Sequence, residues 1–140
     1  MKMMIEIHDD LNADEYNKVR LDVGWEIKNP LLVEKAISNS TIIKKATCGH
    51  QVVGMARAIG DGMSYLLVDV VVSPKYQKQG IGKRLVNAVI DDIKNRTMVG
   101  EYSTINLISI RGMEKFYERC GFAAVPFGYN GKGMRMKIEK

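Results

Sequence analysis

The spacing of apolar positions changes several times along the chain, and each change marks an element. Residues 3–8 alternate as Met-x-Ile-x-Ile, the period of two of a half-buried strand. Asn12-Ala13-Asp14-Glu15 has the composition of a helix start with Asn12 as its cap. The spacing predicts a helix to about residue 23, with Tyr16, Val19, Leu21 and Val23 partly inside. Gly24-Trp25 breaks it. Pro30 opens a second helix over 31–38, since the first turn does not use the N–H that proline lacks. Apolar strands over 41–48 and 51–59 flank Gly49-His50 as an antiparallel hairpin. Gly60-Asp61-Gly62 then turns the chain into a third strand of this meander, 63–72. From residue 80 to about 96 the period becomes helical. Ile81, Leu85, Val89 and Ile93 recur at spacing four, and Val86 and Ile90 widen the stripe. An apolar strand over 104–110 follows. A helical crossover connects it to 63–72, so the two should run parallel. A helix over 112–119 stops at Cys120-Gly121, and closing strands are expected over 122–127 and 132–138.

Composition narrows the class. With 140 residues, 46% of them hydrophobic and 26% charged, the chain reads as one globular domain spanning 1–140. No apolar run approaches a membrane span, and the N-terminus lacks the apolar core of a signal peptide. Cys48 and Cys120 stand alone without metal-ligand spacing. These features predict a reduced, cytoplasmic location, no membrane partner and no metal. The net charge of +5 suits an anionic ligand. Basic residues are densest at one loop. Aromatics are few and no RNA-stacking motif occurs, so a nucleic-acid partner is not expected. His8 and His50, on a strand end and a turn, are not assigned catalysis.

The basic loop carries the chemistry. A β-branched run through Val70, Val71 and Val72 stops at Ser73-Pro74, and a helix begins at Gly80 and Gly82, with Lys75, Lys78, Lys83 and Arg84 around it. Unpaired N–H groups and a positive dipole end make such a start a phosphate cradle. A Walker loop fails, because Gln77 replaces its first glycine and Arg84 its hydroxyl. The dinucleotide fingerprint fails at Leu85. The segment Gln77-Lys78-Gln79-Gly80-Ile81-Gly82 instead resembles the coenzyme A pyrophosphate loop, Gln-x-x-Gly-x-Gly, of the GCN5-related N-acetyltransferases, the GNAT superfamily. Phe116-Tyr117-Glu118-Arg119-Cys120-Gly121-Phe122 resembles that family's Phe-Tyr-x-x-x-Gly-Phe. The two motifs cover roughly residues 65–127, and the element order is also the family's. The first sixty residues match it in element order alone.

The resemblance implies an α/β GNAT fold, a mixed, mostly antiparallel sheet with a splayed parallel pair of fourth and fifth strands. It implies acetyl transfer from acetyl-CoA to a primary amine, small-molecule or peptide, by direct attack in a ternary complex. The alternative is a CoA-binding sensor or interaction module without turnover. The family's cofactor contacts fall here on Gln77, Lys78, Gln79, Gly80, Ile81, Gly82, Lys83 and Arg84 for the diphosphate, and on Val70, Val71 and Val72 for the pantetheine arm. Phe116 and Tyr117 complete them. The Val70 N–H matches the donor to the thioester carbonyl, and Tyr117 matches the general acid. An asparagine expected after the fifth strand is missing from Ile110-Arg111-Gly112-Met113-Glu114, with Ser109 or Arg111 as replacements. Asp69 has two readings. A carboxylate inside an apolar strand either relays the substrate's proton or holds its ammonium, or it is buried in a structural pair with Arg57 or a backbone donor. By strand period it shares a face with Met63, Tyr65 and Leu67. Trp25 is read either as a core anchor or as a wall of the acceptor pocket. Family habit and the closing strands suggest a homodimer.

Overall fold

The computed structural model describes residues 4–140, in two compact units that divide after Leu107. The first holds β1 (Ile5–His8), α1 (Ala13–Asp22), α2 (Pro30–Ser38), β2 (Ile42–Cys48), β3 (Gln51–Gly60) and β4 (Ser64–Val72). One turn of 3-10 helix at Pro74–Tyr76, α3 (Ile81–Arg96) and β5 (Thr104–Asn106) complete it. Residue 3, the expected start of the first strand, lies outside the described residues. The sheet order is β1-β2-β3-β4-β5. The first four strands pair antiparallel, and β5 pairs parallel to β4 after the α3 crossover. The α/β class and mixed sheet expected from the sequence are both present. Among the described residues, no helix is long and apolar enough to cross a membrane.

Each face of the sheet takes its own helices. Asn12 and Glu15 close a capping box that starts α1. Ala13, Tyr16 and Val19 of α1 then pack with Val33, Met55 and Val71. Leu21, expected partly inside, is 60% exposed, because the buried stripe advances by three residues and passes it by. Val23 follows the stripe and packs against the core. On α3, Ile81, Leu85, Val86, Val89 and Ile93 are buried, and Ile90 is half-buried. Leu85 lies on the side of the sheet toward which a Cβ at Gly54 would point. From Gly54 onward, past an irregularity in the β2–β3 ladder, successive residues of β3 face opposite sides. Met55 therefore meets α1, and Gly54, Ala56 and Ala58 face α3.

Two buried lysines tie the helices to β2. Lys44 binds Asp9 at 2.7 Å and Asp92 of α3 at 3.1 Å. Its neighbour Lys45, on the opposite face, binds Asp10 at 3.1 Å and Glu15 of α1 at 2.9 Å. A buried ammonium needs such partners.

The second unit contains α4 (Glu114–Arg119). Three expectations change at this end of the chain. The strand expected over 104–110 is only Thr104–Asn106, because the ladder with β4 stops at Leu66 and Asn106. The closing strands expected over 122–127 and 132–138 do not form. Met134, Met136 and Ile138 keep the period of two yet are almost fully exposed. Alternation marks the capacity to pair, and a strand exists only where a neighbour completes the ladder.

Candidate active site

The ladder between β3 and β4 is broken at one place. Val68 faces Arg57 and Val71 faces Met55, so β4 carries one residue more than β3 across this stretch. Asp69 sits in this bulge with φ +49°, a left-handed conformation uncommon for a residue with a side chain. Asp69 and Val70 have no partner residue in the ladders with β3 or β5. The bulge also reverses the strand's phase. Leu67, opposite Ala58, faces α3, whereas Val71, opposite Met55, faces α1. Asp69 therefore does not share a face with Tyr65 and Leu67, as strict alternation predicts. It points toward α1.

There Asp69 meets two donors. Arg57 Nε lies 2.7 Å from Asp69 Oδ2, and the Tyr16 hydroxyl donates to the same oxygen at 2.8 Å. The Arg57 and Asp69 side chains are 14% and 16% exposed. Arg57 Nη1 donates to Ser40 Oγ, which donates to Ala36 O at the end of α2. The structural pair with Arg57 is thus present, extended by a tyrosine that the sequence marked only as a core residue. Burial raises the Tyr16 phenol, and the charge and hydrogen bond of Asp69 add to this against Arg57 and Arg20. A buried tyrosine hydroxyl needs a polar partner, and that was the available signal. Trp25 is half-buried against the same core cluster, with the Arg20 guanidinium 5.1 Å from its ring centroid. Arg20 Nε also donates to Glu26 O, and Asn17 exchanges two hydrogen bonds with Lys28. These contacts hold the Gly24-Trp25 corner.

At the other end of β4 the chain enters the basic loop. The Gln77 side chain donates to Val72 O at 2.8 Å, so it braces the loop onto the strand. Gln79 reaches Lys75 O at 3.4 Å. Lys78 and Gly80 both have positive φ, +63° and +82°. Gly80 caps α3 in the left-handed conformation, with no side-chain cap and open space where a Cβ would stand. The first-turn N–H groups at Ile81, Gly82 and Lys83 have no acceptor within the helix. Lys75, Lys78, Lys83 and Arg84 are exposed around them. A diphosphate fits this cradle: it needs backbone donors, positive charge and room for close approach. Ile81 and Val71 are buried, so each offers a ligand only its backbone. Among the described residues, the edge of β4 toward β5 has no strand partner beyond Leu66, which suits an extended arm bearing amides.

Phe116 and Tyr117 lie on α4 in the second unit. The Tyr117 ring meets Phe116 at 5.0 Å and Phe122 at 6.0 Å, both edge to face. Burial, with a smaller effect of Cys120, raises the phenol's pKa. Ser109, a replacement for the missing asparagine, donates to Ile110 O, and Arg111 is exposed.

Similarity to known proteins identifies the family. A family model described as an acetyltransferase (GNAT) domain matches residues 39–124, more than half of the chain. The uncharacterized N-acetyltransferase ycf52 of Pyropia yezoensis is 34% identical over 127 residues, covering 86% of this chain and 70% of that protein. GCN5-related N-acetyltransferase 1, chloroplastic, of Arabidopsis thaliana is 31% identical over 124 residues, covering 86% and 61%. Among solved structures, a GNAT-family acetyltransferase from Streptococcus pneumoniae superposes with a TM-score of 0.77 at 28% identity, covering 99% of this chain and 100% of that one. A Staphylococcus aureus protein described as a probable acetyltransferase gives 0.81 at 27% identity, covering 96% and 100%. The chain belongs to the GCN5-related N-acetyltransferase (GNAT) family.

Proposed function

We propose that this N-acetyltransferase takes acetyl-CoA as donor and a primary amine as acceptor, by direct attack within a ternary complex. The observation that carries the reading is the uncapped, glycine-entered N-terminus of α3, which follows a strand whose edge is unpaired beyond Leu66. The backbone of 79–83 and the basic side chains beside it hold the diphosphate, and Val70, Val71 and Val72 offer backbone groups to the pantetheine arm. The donor supplies an activated thioester, whose carbonyl oxygen gains charge as the amine attacks. The Val70 peptide, set outside both ladders by the bulge, is the proposed N–H for that oxygen, and a preorganised donor there is worth about 3 kcal/mol. Tyr117 is proposed to protonate the departing thiolate. This rests on its motif position and on a phenol that keeps its proton at neutral pH. Asp69, with two donors already on one oxygen, is proposed to hold the site's shape. Trp25 is proposed to wall the acceptor side.

The test is thiol release from acetyl-CoA with a panel of small and peptide amines. Amine-dependent thiol release establishes transfer. Binding of CoA with no thiol release for any amine would support the sensor module instead. A homodimer is also proposed, on the exposed, alternating Met134, Met136 and Ile138. Sedimentation at tens of micromolar checks it, and a monomer would contradict it.

A further inference from the structure

Helix α1 holds β4 and the residue that follows it through polar side chains at two separate points, one on each side of Val70, Val71 and Val72. The first is Tyr16 on Asp69 at 2.8 Å. The second is Asp22, whose Oδ2 accepts from Ser73 Oγ at 2.6 Å and pairs with Lys18 Nζ at 2.7 Å. Lys18 Nζ also donates to Val52 O at 2.9 Å, which ties the group to β3. Ser73 is buried, donates its N–H to Val53 O, and accepts the Tyr76 N–H that closes the 3-10 turn leading to the basic loop. Tyr16 and Asp22 lie six positions apart on one helix, and Asp69 on β4 lies four positions before Ser73, the residue that follows the strand. The segment bracketed between them carries the backbone assigned to the donor.

We infer that α1 is a clasp on the donor strand, with Tyr16 and Asp22 as positioning residues of different effect. Tyr16 fixes the bulge, and with it the direction of the Val70 N–H that meets the reacting carbonyl. Asp22 fixes Ser73, and with it where the strand hands over to the phosphate-binding loop. The inference rests on the proposed donor site. It adds that the helix on the acceptor side sets the geometry of the donor side. The two ends of the clasp should then fail differently. The Tyr16 end acts on a group that matters once charge develops on the carbonyl, so it belongs to kcat. The Asp22 end acts on the resting fit of the donor, so it belongs to donor affinity.

The variants are Tyr16→Phe, Asp22→Asn and Ser73→Ala, with the double change Asp22→Asn/Ser73→Ala. CoA affinity is read by calorimetry, acetyl transfer by thiol release, and folding by thermal unfolding. Tyr16→Phe should lower kcat about fivefold and leave CoA affinity within about twofold, the effect of one lost hydrogen bond. Asp22→Asn and Ser73→Ala should each weaken CoA about fivefold with kcat nearly unchanged. Their double variant should lose less than the product of the two single losses, because both changes act on the Ser73–Asp22 contact. If wild-type protein binds no CoA, the donor-site reading falls and the clasp falls with it. If wild-type binds CoA and all variants match it in affinity and kcat while melting lower, the contacts are structural alone and the clasp is overturned. Equal loss of kcat and affinity at both ends overturns the division of roles.

Discussion

Asp69 carries the largest change in meaning between sequence and structure. A carboxylate in the run Leu66-Leu67-Val68-Asp69-Val70-Val71-Val72 needed an explanation, and the sequence allowed either proton relay or a pair with Arg57. What decides its surroundings is the bulge, which local pattern does not reveal, because one extra residue changes no residue type. The guanidinium and the phenol then converge on one oxygen. Asp69→Asn should leave the buried Arg57 without its counter-charge, at a cost of about 3 kcal/mol of stability and roughly 10 °C in Tm. Thermal unfolding at neutral pH checks this, and an unchanged Tm would show that the pair contributes nothing. Tyr117→Phe addresses the proposed general acid. It should lower kcat about tenfold with little change in KM for acetyl-CoA, since the phenol is proposed to act only as the sulfur departs. Steady-state kinetics with a good acceptor amine measures the split, and a loss confined to Tm makes Tyr117 a packing residue.

At the scale of elements, the sequence was informative wherever a segment carries its own signal. The capping box of α1, the proline start of α2 and the spacing-four stripe of α3 were legible because caps and helical period are local. The meander β2-β3-β4 was legible because glycine turns separate apolar runs. The short reach of β5 was not, since a strand's length depends on its neighbour's path. Nor were the ionic ties of Lys44 and Lys45, which join residues 30 or more positions apart. Those ties set a pH window. Burial opposes charge on both lysines, but hydrogen bonds and attraction from Asp9, Asp92, Asp10 and Glu15 outweigh it and raise both above the usual 10.5. A base raised by folding stabilises fully below its unfolded value and loses that contribution as pH climbs through the folded one. Burial likewise opposes charge on Asp22 and Asp92, but Lys18 and Ser73 on one, and Arg96 and Lys44 on the other, lower both below 3.8. Their contribution is present above the unfolded value and disappears as pH falls through the folded one. Stability should therefore be flat between roughly pH 5 and pH 9.5 and fall on both sides. Denaturant unfolding across that range tests it, and a slope within the plateau would contradict it.

At the scale of the whole molecule, the proposed donor site rests on topology as much as on residues. A parallel β4-β5 pair that ends after Leu66 leaves a free strand edge, and the following loop presents a helix N-terminus. The loop motif made the second half of this visible in sequence. The first half needed the structure, because pairing is a property of two segments. The most direct measurement is calorimetric titration of CoA into the wild-type protein and into Gly82→Asp. Aspartate is favoured in the first turn of a helix, so the variant should fold. It places a carboxylate beside the donors that would otherwise meet phosphate oxygens. The expected result is tight, enthalpy-releasing binding by the wild type and a loss of about 100-fold or more in the variant, from like-charge repulsion. Equal affinity of the two proteins would contradict the assignment of the donor to the N-terminus of α3.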